Sequence, residues 1–207
     1  MQFDVTRPPK LYRYSEAGPL KLALSLGEFY LKPAAGYKQF KDDGARQDDE
    51  LIRVQSSNSN HIKITVAKSG EEIKPISAVT YRSEIRTDYY VLCFSKAWDE
   101  RLFSEFLGSD SCLIVHNVEE FCERIHAEVE VKLPHWAGMD TIITYGGRSP
   151  FGAIFSKPLS FLPQQEWRFA WLPPSSLRNI EPFKIVIGSI EKIAEIVLKP
   201  SHTPPIP

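Results

Sequence analysis

The run YYVLCFS, Tyr89 to Ser95, carries apolar or aromatic side chains on both sides of an extended chain. It predicts a β-strand buried on both faces, the centre of a sheet. Upstream, His61 to Ala67 alternates, with Ile62, Ile64 and Val66 apolar between Lys63 and Thr65. Ser69-Gly70 then signals a turn and Ile73 to Arg82 resumes the extended pattern, so a hairpin is expected. Downstream, Trp98, Leu102, Phe103, Phe106 and Leu107 recur at helical spacing, which predicts an amphipathic helix over Trp98 to Leu107 stopped by Gly108. Cys112 to Val115 reads as a short strand. Asn117 then caps a helix whose Val118, Phe121, Cys122, Ile125 and Val129 form one stripe, ended near Pro134.

The same pattern reaches both ends of the chain. Leu11 to Tyr14 is a short β entry with Tyr12 and Tyr14 on one side and Arg13 on the other. A helix follows from Pro19 to Leu26 with Gly27 as its stop, then a strand from Glu28 to Lys32. Gly36 to Glu50 is polar, a loop or weak helix with a turn at Asp42-Asp43-Gly44. Strands are expected at Thr141 to Tyr145, from Gly152 to Phe155, at Gln165 to Leu172 and at Phe183 to Ile187, and a short helix at Ile190 to Leu198. Residues 1–198 thus form one α+β domain of mixed, mostly antiparallel sheets with short peripheral helices. Residues 199–207, with four prolines and no core-forming pattern, form a flexible tail.

Composition bounds the function. A chain of 207 residues, 43% hydrophobic, 12% aromatic and 25% charged, has the apolar content for a sizeable core, which excludes a disordered protein. Twenty-five basic against 26 acidic residues give a net charge of -1, so nothing draws the whole molecule to nucleic acid or an anionic membrane, and a small or neutral partner fits better. Cys93, Cys112 and Cys122 make an odd count, and the N-terminal MQFDVTRPPK has no apolar core of a signal peptide; free thiols and a cytoplasmic location are expected. Apolar windows such as Ile193 to Leu198 fall far short of the roughly 18 residues that span a bilayer.

Three segments place polar groups beside strand-forming residues: Leu11 to Arg13, Cys93 to Ser95 and Gln164 to Arg168. An arginine grips a pyrophosphate as a bidentate fork, a hydroxyl orients a ribose, and a carboxylate bonds a ribose hydroxyl while stabilising an oxocarbenium-like centre. Period-two alternation puts Gln164 and Glu166 on one strand face. These segments resemble the arginine, serine and glutamate motifs of NAD-dependent ADP-ribosyltransferases of the arginine-serine-glutamate class. The resemblance covers about ten residues. It implies an ADP-ribosyltransferase-like fold with NAD as substrate, Arg13 as pyrophosphate or ribose anchor, Ser95 as positioning hydroxyl and Glu166 as catalytic carboxylate. Tyr12 and Gln164 complete the nucleotide-binding set, and the macromolecular acceptor is left open. Ser95 stands alone in Cys-Phe-Ser-Lys where that class commonly has Ser-Thr-Ser.

A broader resemblance runs through LYRY, Ala45-Arg46-x-Asp48-Asp49-Glu50, YVLCFS, Phe155-Ser156-Lys157-Pro158, Glu166-Trp167-Arg168 and Ile187-Gly188-Ser189. This succession is similar to an uncharacterised bacterial family of unknown function, some members of which are linked to phage defence. It implies a toxin or defence setting, and a non-catalytic interaction module is the alternative to an enzyme.

Each candidate also has a structural role open to it. Glu166 and Arg168, two apart on a strand, can pair with each other. Arg13 can stack on or salt-bridge to its surroundings, and Ser95 can cap the helix beginning near Trp98. Asp42, Asp43, Asp48, Asp49 and Glu50 could hold a divalent metal for a hydrolase, but the cluster lacks ordered loop spacing, and Arg46 points to a self-contained ion-pair network. Cys112 and His116, about 13 Å apart on an extended chain, do not converge on one zinc ion, while Cys122 belongs to the apolar stripe beside His126. Gly146-Gly147-Arg148-Ser149 lacks the context of a phosphate loop and reads as a turn.

Overall fold

The computed structural model describes residues 6–39, 44 and 48–201. In chain order the elements are β1 (Leu11–Ser15), α1 (Ala17–Leu26), β2 (Glu28–Pro33), β3 (Ile52–Ser57), β4 (Ile64–Thr65), β5 (Glu72–Ile73), β6 (Val79–Glu84), β7 (Tyr90–Ser95), α2 (Leu102–Glu105) and β8 (Ser111–Val115). They continue with α3 (Val118–Lys132), β9 (Ala137–Ile142), β10 (Thr144–Tyr145), β11 (Ser156–Lys157), β12 (Glu166–Leu172), β13 (Phe183–Val186) and β14 (Ala194–Leu198). The architecture is α+β. Eight strands form an antiparallel sheet in which β7 is central. On one side β7 pairs along its length with β12, Ser95 opposite Glu166 and Tyr90 opposite Trp171, and β12 pairs onward with β9. On its other side β7 meets two strands in succession: β1 at Ser95, opposite Tyr12, and β2 at Val91 and Tyr90.

Alternation in the sequence decides which face each side chain takes. Leu92, Phe94, Trp167, Phe169 and Trp171 face α1 and α3 and join Phe121, Cys122, Ile125, Val129, Leu20 and Ala23 in the main core. Phe94, Phe121 and Phe169 interlock edge to face, with ring centroids 5.3 to 6.3 Å apart. Helix α3 carries the expected stripe and cap: Asn117 Oδ1 accepts from the Glu120 N–H at 3.3 Å, and Asn117 Nδ2 donates to Glu120 Oε2 at 3.0 Å. Helix α1 ends at Gly27, φ 70°, whose N–H returns to Ala23 O.

Four elements differ from expectation. The helix over Trp98 to Leu107 contracts to the single turn α2, because Trp98 and Phe106 turn inward to pack on the Tyr12 and Tyr14 cluster and Phe106 is extended. Ile190 to Leu198 is not helical: β14 pairs with the edge of β8, which suits β-branched Ile196 and Val197. The hairpin is nested, with β4 and β5 paired at Ile64–Ile73 and Thr65–Glu72 and closed by the Val66 N–H donating to Glu71 O, while β6 pairs with β3. Ala153 to Phe155 form a 3₁₀ turn, and the strand starts at β11, parallel to β10. At the end of the chain the Lys199 N–H donates to Asp110 O at 2.7 Å, and residues 202–207 of the expected tail lie outside the described residues. Among the described residues, no helix is long and apolar enough to cross a membrane.

Candidate functional site

Where β1 and β2 part along β7, a cavity of about 110 Å³ opens, lined by Tyr12, Arg13, Ser95, Gln164 and Glu166 together with Lys157. All five residues singled out from three distant stretches therefore meet. The pairing explains the convergence of three of them: Tyr12, Ser95 and Glu166 stand in one row across β1, β7 and β12, and neighbours in such a row share a face; Arg13, on the other side of β1, reaches the cavity through the gap beside Cys93. Tyr30, Tyr37, Phe94 and Phe106 add aromatic walls, and Lys32 a second cationic side chain. A second hollow of about 400 Å³ against α1 shares Arg13, Ser15 and Tyr30 with the first.

The contacts within the site are specific. Arg13 Nη1 donates to Cys93 O at 2.8 Å, in the gap left between β1 and β2, and the guanidinium lies 5.5 Å from the Phe94 ring centre. Ser95 does not cap a helix: its Oγ donates to Ala97 O at 2.8 Å and accepts the Ala97 N–H at 3.3 Å. Tyr12 packs edge to face on Trp98. Gln164 is not on the strand with Glu166. It ends a 3₁₀ segment, and Gln165 at φ 41° breaks the alternation. The Gln165 carbonyl takes the Lys96 N–H at 2.9 Å, while Gln164 Oε1 accepts from Lys157 Nζ at 3.1 Å and so returns to the cavity.

Glu166 is 3% exposed, and both of its oxygens are engaged. Oε1 accepts from Arg168 Nε and Oε2 pairs with Lys157 Nζ, each at 2.6 Å. Burial opposes ionisation, but Arg168 and Lys157 overcome it and hold the carboxyl well below the usual range. Arg168 is fully buried and forks onto Glu50 through Nη1 and Nη2 at 2.6 and 2.8 Å, while Nη1 also donates to Ile154 O. Arg53 continues the chain of charges, donating to both Asp48 oxygens and to Glu50 Oε2. The Glu166–Arg168 pair read from the sequence is thus one link of a buried network, Asp48–Arg53–Glu50–Arg168–Glu166–Lys157. Sequence reasoning weighed Asp48 and Glu50 as metal candidates or as an ion-pair network with Arg46; the network is there, but its cation is Arg53, which like Lys157 was given no role.

The other candidates resolve as packing and ion pairs. Asp48 and Glu50 face Arg53 and Arg168, and Asp49 pairs with Lys38. Asp42, Asp43 and Arg46 lie outside the described residues. Among the described residues no group of three or more His, Cys, Asp or Glu is arranged to hold a metal ion. Cys112 and Cys122 are buried free thiols, His116 pairs with Glu195, and His126 with Asp140. Gly146 turns the chain after β10 at φ 65°. A scan against family models finds no match, and searches of curated proteins and of solved structures find none either.

Proposed function

We propose that the protein binds a nucleotide, NAD or a close chemical relative, in the cleft between β1, β2 and β7. The observation that carries this is the meeting of Tyr12, Arg13, Ser95, Gln164 and Glu166 on one cavity. Its volume suits a single ring or ribose, and the adjoining hollow past Arg13 and Tyr30 offers room for the remainder of a nucleotide. Aromatic walls suit a base, and the positive side chains of Arg13 and Lys32 suit phosphate oxygens. Glu166, ionised and held by two cations, is a fixed acceptor for a ribose hydroxyl.

The same carboxylate bears on catalysis. Two cations at 2.6 Å largely compensate its charge, which weakens its pull on a developing oxocarbenium ion. Binding is therefore placed ahead of bond cleavage. NAD cleavage is a second reading, favoured by the position of Ser95 directly opposite Glu166. In that reaction the ribose–nicotinamide C–N bond breaks, nicotinamide leaves with the electron pair, and an acceptor adds to the ribose and releases a proton.

Titration calorimetry with NAD, ADP-ribose and nicotinamide tests the binding. Saturable binding of NAD or ADP-ribose at about 1 mM or tighter is expected, weakened roughly tenfold or more in Arg13→Ala. No saturable heat with any of the three overturns it. Nicotinamide release that disappears in Glu166→Gln would add catalysis to binding.

A further inference from the structure

The strand nearest the end of the chain leaves the sheet with an open edge. Among the described residues β14 pairs with β8 alone. Two bonds fix the parity of that ladder: the His116 N–H donates to Ile193 O at 2.8 Å, and the Lys199 N–H to Asp110 O at 2.7 Å. Residues 193, 195, 197 and 199 therefore turn their backbone toward β8, while Ala194, Ile196 and Leu198 turn theirs outward. Among the described residues nothing takes up the outward N–H and C=O groups of Ile196 and Leu198. The side chains alternate as well. Ala194 and Ile196 meet the main core beneath α1, Val197 packs on the Tyr14 and Phe103 cluster, and Leu198 is left 69% exposed.

Two exposed charges flank this edge, Glu195 and Lys199, with Val197 midway between them and all three on one face of the strand. Glu195 Oε1 meets His116 Nε2 at 2.9 Å, which leaves Oε2, and Lys199 has no carboxylate partner among the described residues. An antiparallel strand of the same sequence, centred on Val197, sets Glu195 directly opposite the partner's Lys199. This is the non-hydrogen-bonded type of pair, whose side chains approach most closely. In that register Ile196 and the partner's Leu198 exchange both N–H···O bonds, because both have outward-facing backbones. Pro200 then stands opposite the partner's Ala194 and, lacking an N–H, stops the ladder. Centring the pairing on Glu195 or on Lys199 instead brings like charges face to face.

We propose that this edge is the interface of a two-fold dimer, in which β14 pairs antiparallel with β14 of a second copy, centred on Val197. An axis normal to the sheet, between the two Val197 residues, relates the copies, so one surface serves both and the assembly closes at two. The two eight-stranded sheets become one. Helix α1 of each copy lies on the same face of it, where Leu198 and the helix residues Leu22 and Leu26 are exposed. The other outer strands offer no such match: Asp140 of β9 is held by Arg7 and His126, and Lys184 of β13 by Glu28. The dimer goes beyond the nucleotide proposal and shares no residue with its cleft.

Analytical ultracentrifugation of the full chain from about 1 μM to about 1 mM tests this. A monomer–dimer equilibrium is expected, the dimer at twice the 23.6 kDa of one chain and nothing larger. Leu198→Pro removes an outward N–H and leaves the bonds to β8 in place, so the dimer should weaken roughly tenfold or more with an unchanged circular dichroism spectrum. Lys199→Glu sets like charges opposite each other at both ends of the pairing and should weaken the dimer roughly tenfold, and adding Glu195→Lys in the same chain should restore it. Both residues are exposed, so the charge test stands whether or not the proline variant folds. A monomer throughout, which would leave this edge to a strand of another protein, overturns the proposal. So do species larger than a dimer, a dimer indifferent to Leu198→Pro in folded protein, and a charge reversal that the double variant does not rescue.

Discussion

Arg168 donates through Nε to Glu166 Oε1 at 2.6 Å, although the two residues sit only two apart on β12. The bond runs along one face of the strand, and the far end of the same guanidinium forks onto Glu50. One fully buried cation thus ties the carboxylate at the cleft floor to a segment 118 positions earlier in the chain. Isolated charges do not survive such burial; alternating ones do, provided each finds its partner.

Arg168→Met removes the cation that joins Glu50 to Glu166 and leaves two buried carboxylates with a single close cation each, Arg53 on Glu50 and Lys157 on Glu166. A loss of about 3–5 kcal/mol in urea-unfolding free energy is expected, the usual cost of breaking a buried pair from one side. A loss below about 1 kcal/mol would show that water reaches the network.

The network also sets a pH dependence with two opposing signs. Burial and Glu50 push Asp48 up to about 6, with Arg53 partly offsetting them. A carboxyl with a higher pKa folded than unfolded contributes stability fully below its ordinary value near 4, and that contribution is lost as pH rises through about 6. Glu166 and Glu50, held low, contribute above the ordinary glutamate value and lose the contribution as pH falls. In Asp48→Asn the decline in stability from about pH 4 to about pH 6 should disappear while the acid-side loss remains. Profiles of equal shape for the two proteins would falsify this assignment.

Much of this fold was legible in the sequence because its strands and its long helix carry simple periodicities. YYVLCFS and EWRFAWL announce β7 and β12, and the Val118 to Val129 stripe with Asn117 ahead of it announces α3. Where aromatic spacing served tertiary packing instead, as at Trp98 and Phe106, the helical period misled. At β14 a short apolar run suited either helix or strand, and the free edge of β8 decided. IRVQSS, residues Ile52 to Ser57, alternates over only four residues, and opposite to burial: in β3 Arg53 is buried and Val54 exposed. Arg13, Ser95 and Glu166 could be placed because each adjoins a readable strand. Glu50 acquires its role through Arg168, 118 positions away, whereas Arg53 pairs with Asp48 and Glu50 within five residues, a spacing that could have marked it.

Gly27 is bound to glycine by two independent constraints. Its φ is 70°, and a Cβ would stand 2.1 Å from Gly188 O and 2.6 Å from Ile187 Cγ1. Gly27→Ala should cost more than about 2 kcal/mol in thermal or urea unfolding, combining left-handed strain with overpacking. Gly70 shares a positive φ, 73°, but a Cβ there meets nothing within 4 Å, so Gly70→Ala should cost only about 1–2 kcal/mol. Equal losses would contradict the close approach at Gly188.

The thiols should be slow to react. Burial pushes Cys93 well above its ordinary value, with Glu166 adding to the effect, and it pushes Cys112 up to about 12 and Cys122 higher still. Ellman's reagent at pH 8 should titrate the 3 cysteines only after unfolding. A full equivalent released at once from native protein would show a nucleophilic thiol.

Gln165 has one more effect. By accepting the Lys96 N–H through its left-handed backbone, it staples the ends of β7 and β12 together beside Ser95 and Glu166. A guest entering there finds its host already set in shape, with little chain entropy left to surrender on contact. How tightly it stays is then decided by its own outline and charge rather than by any power to mould the protein around it.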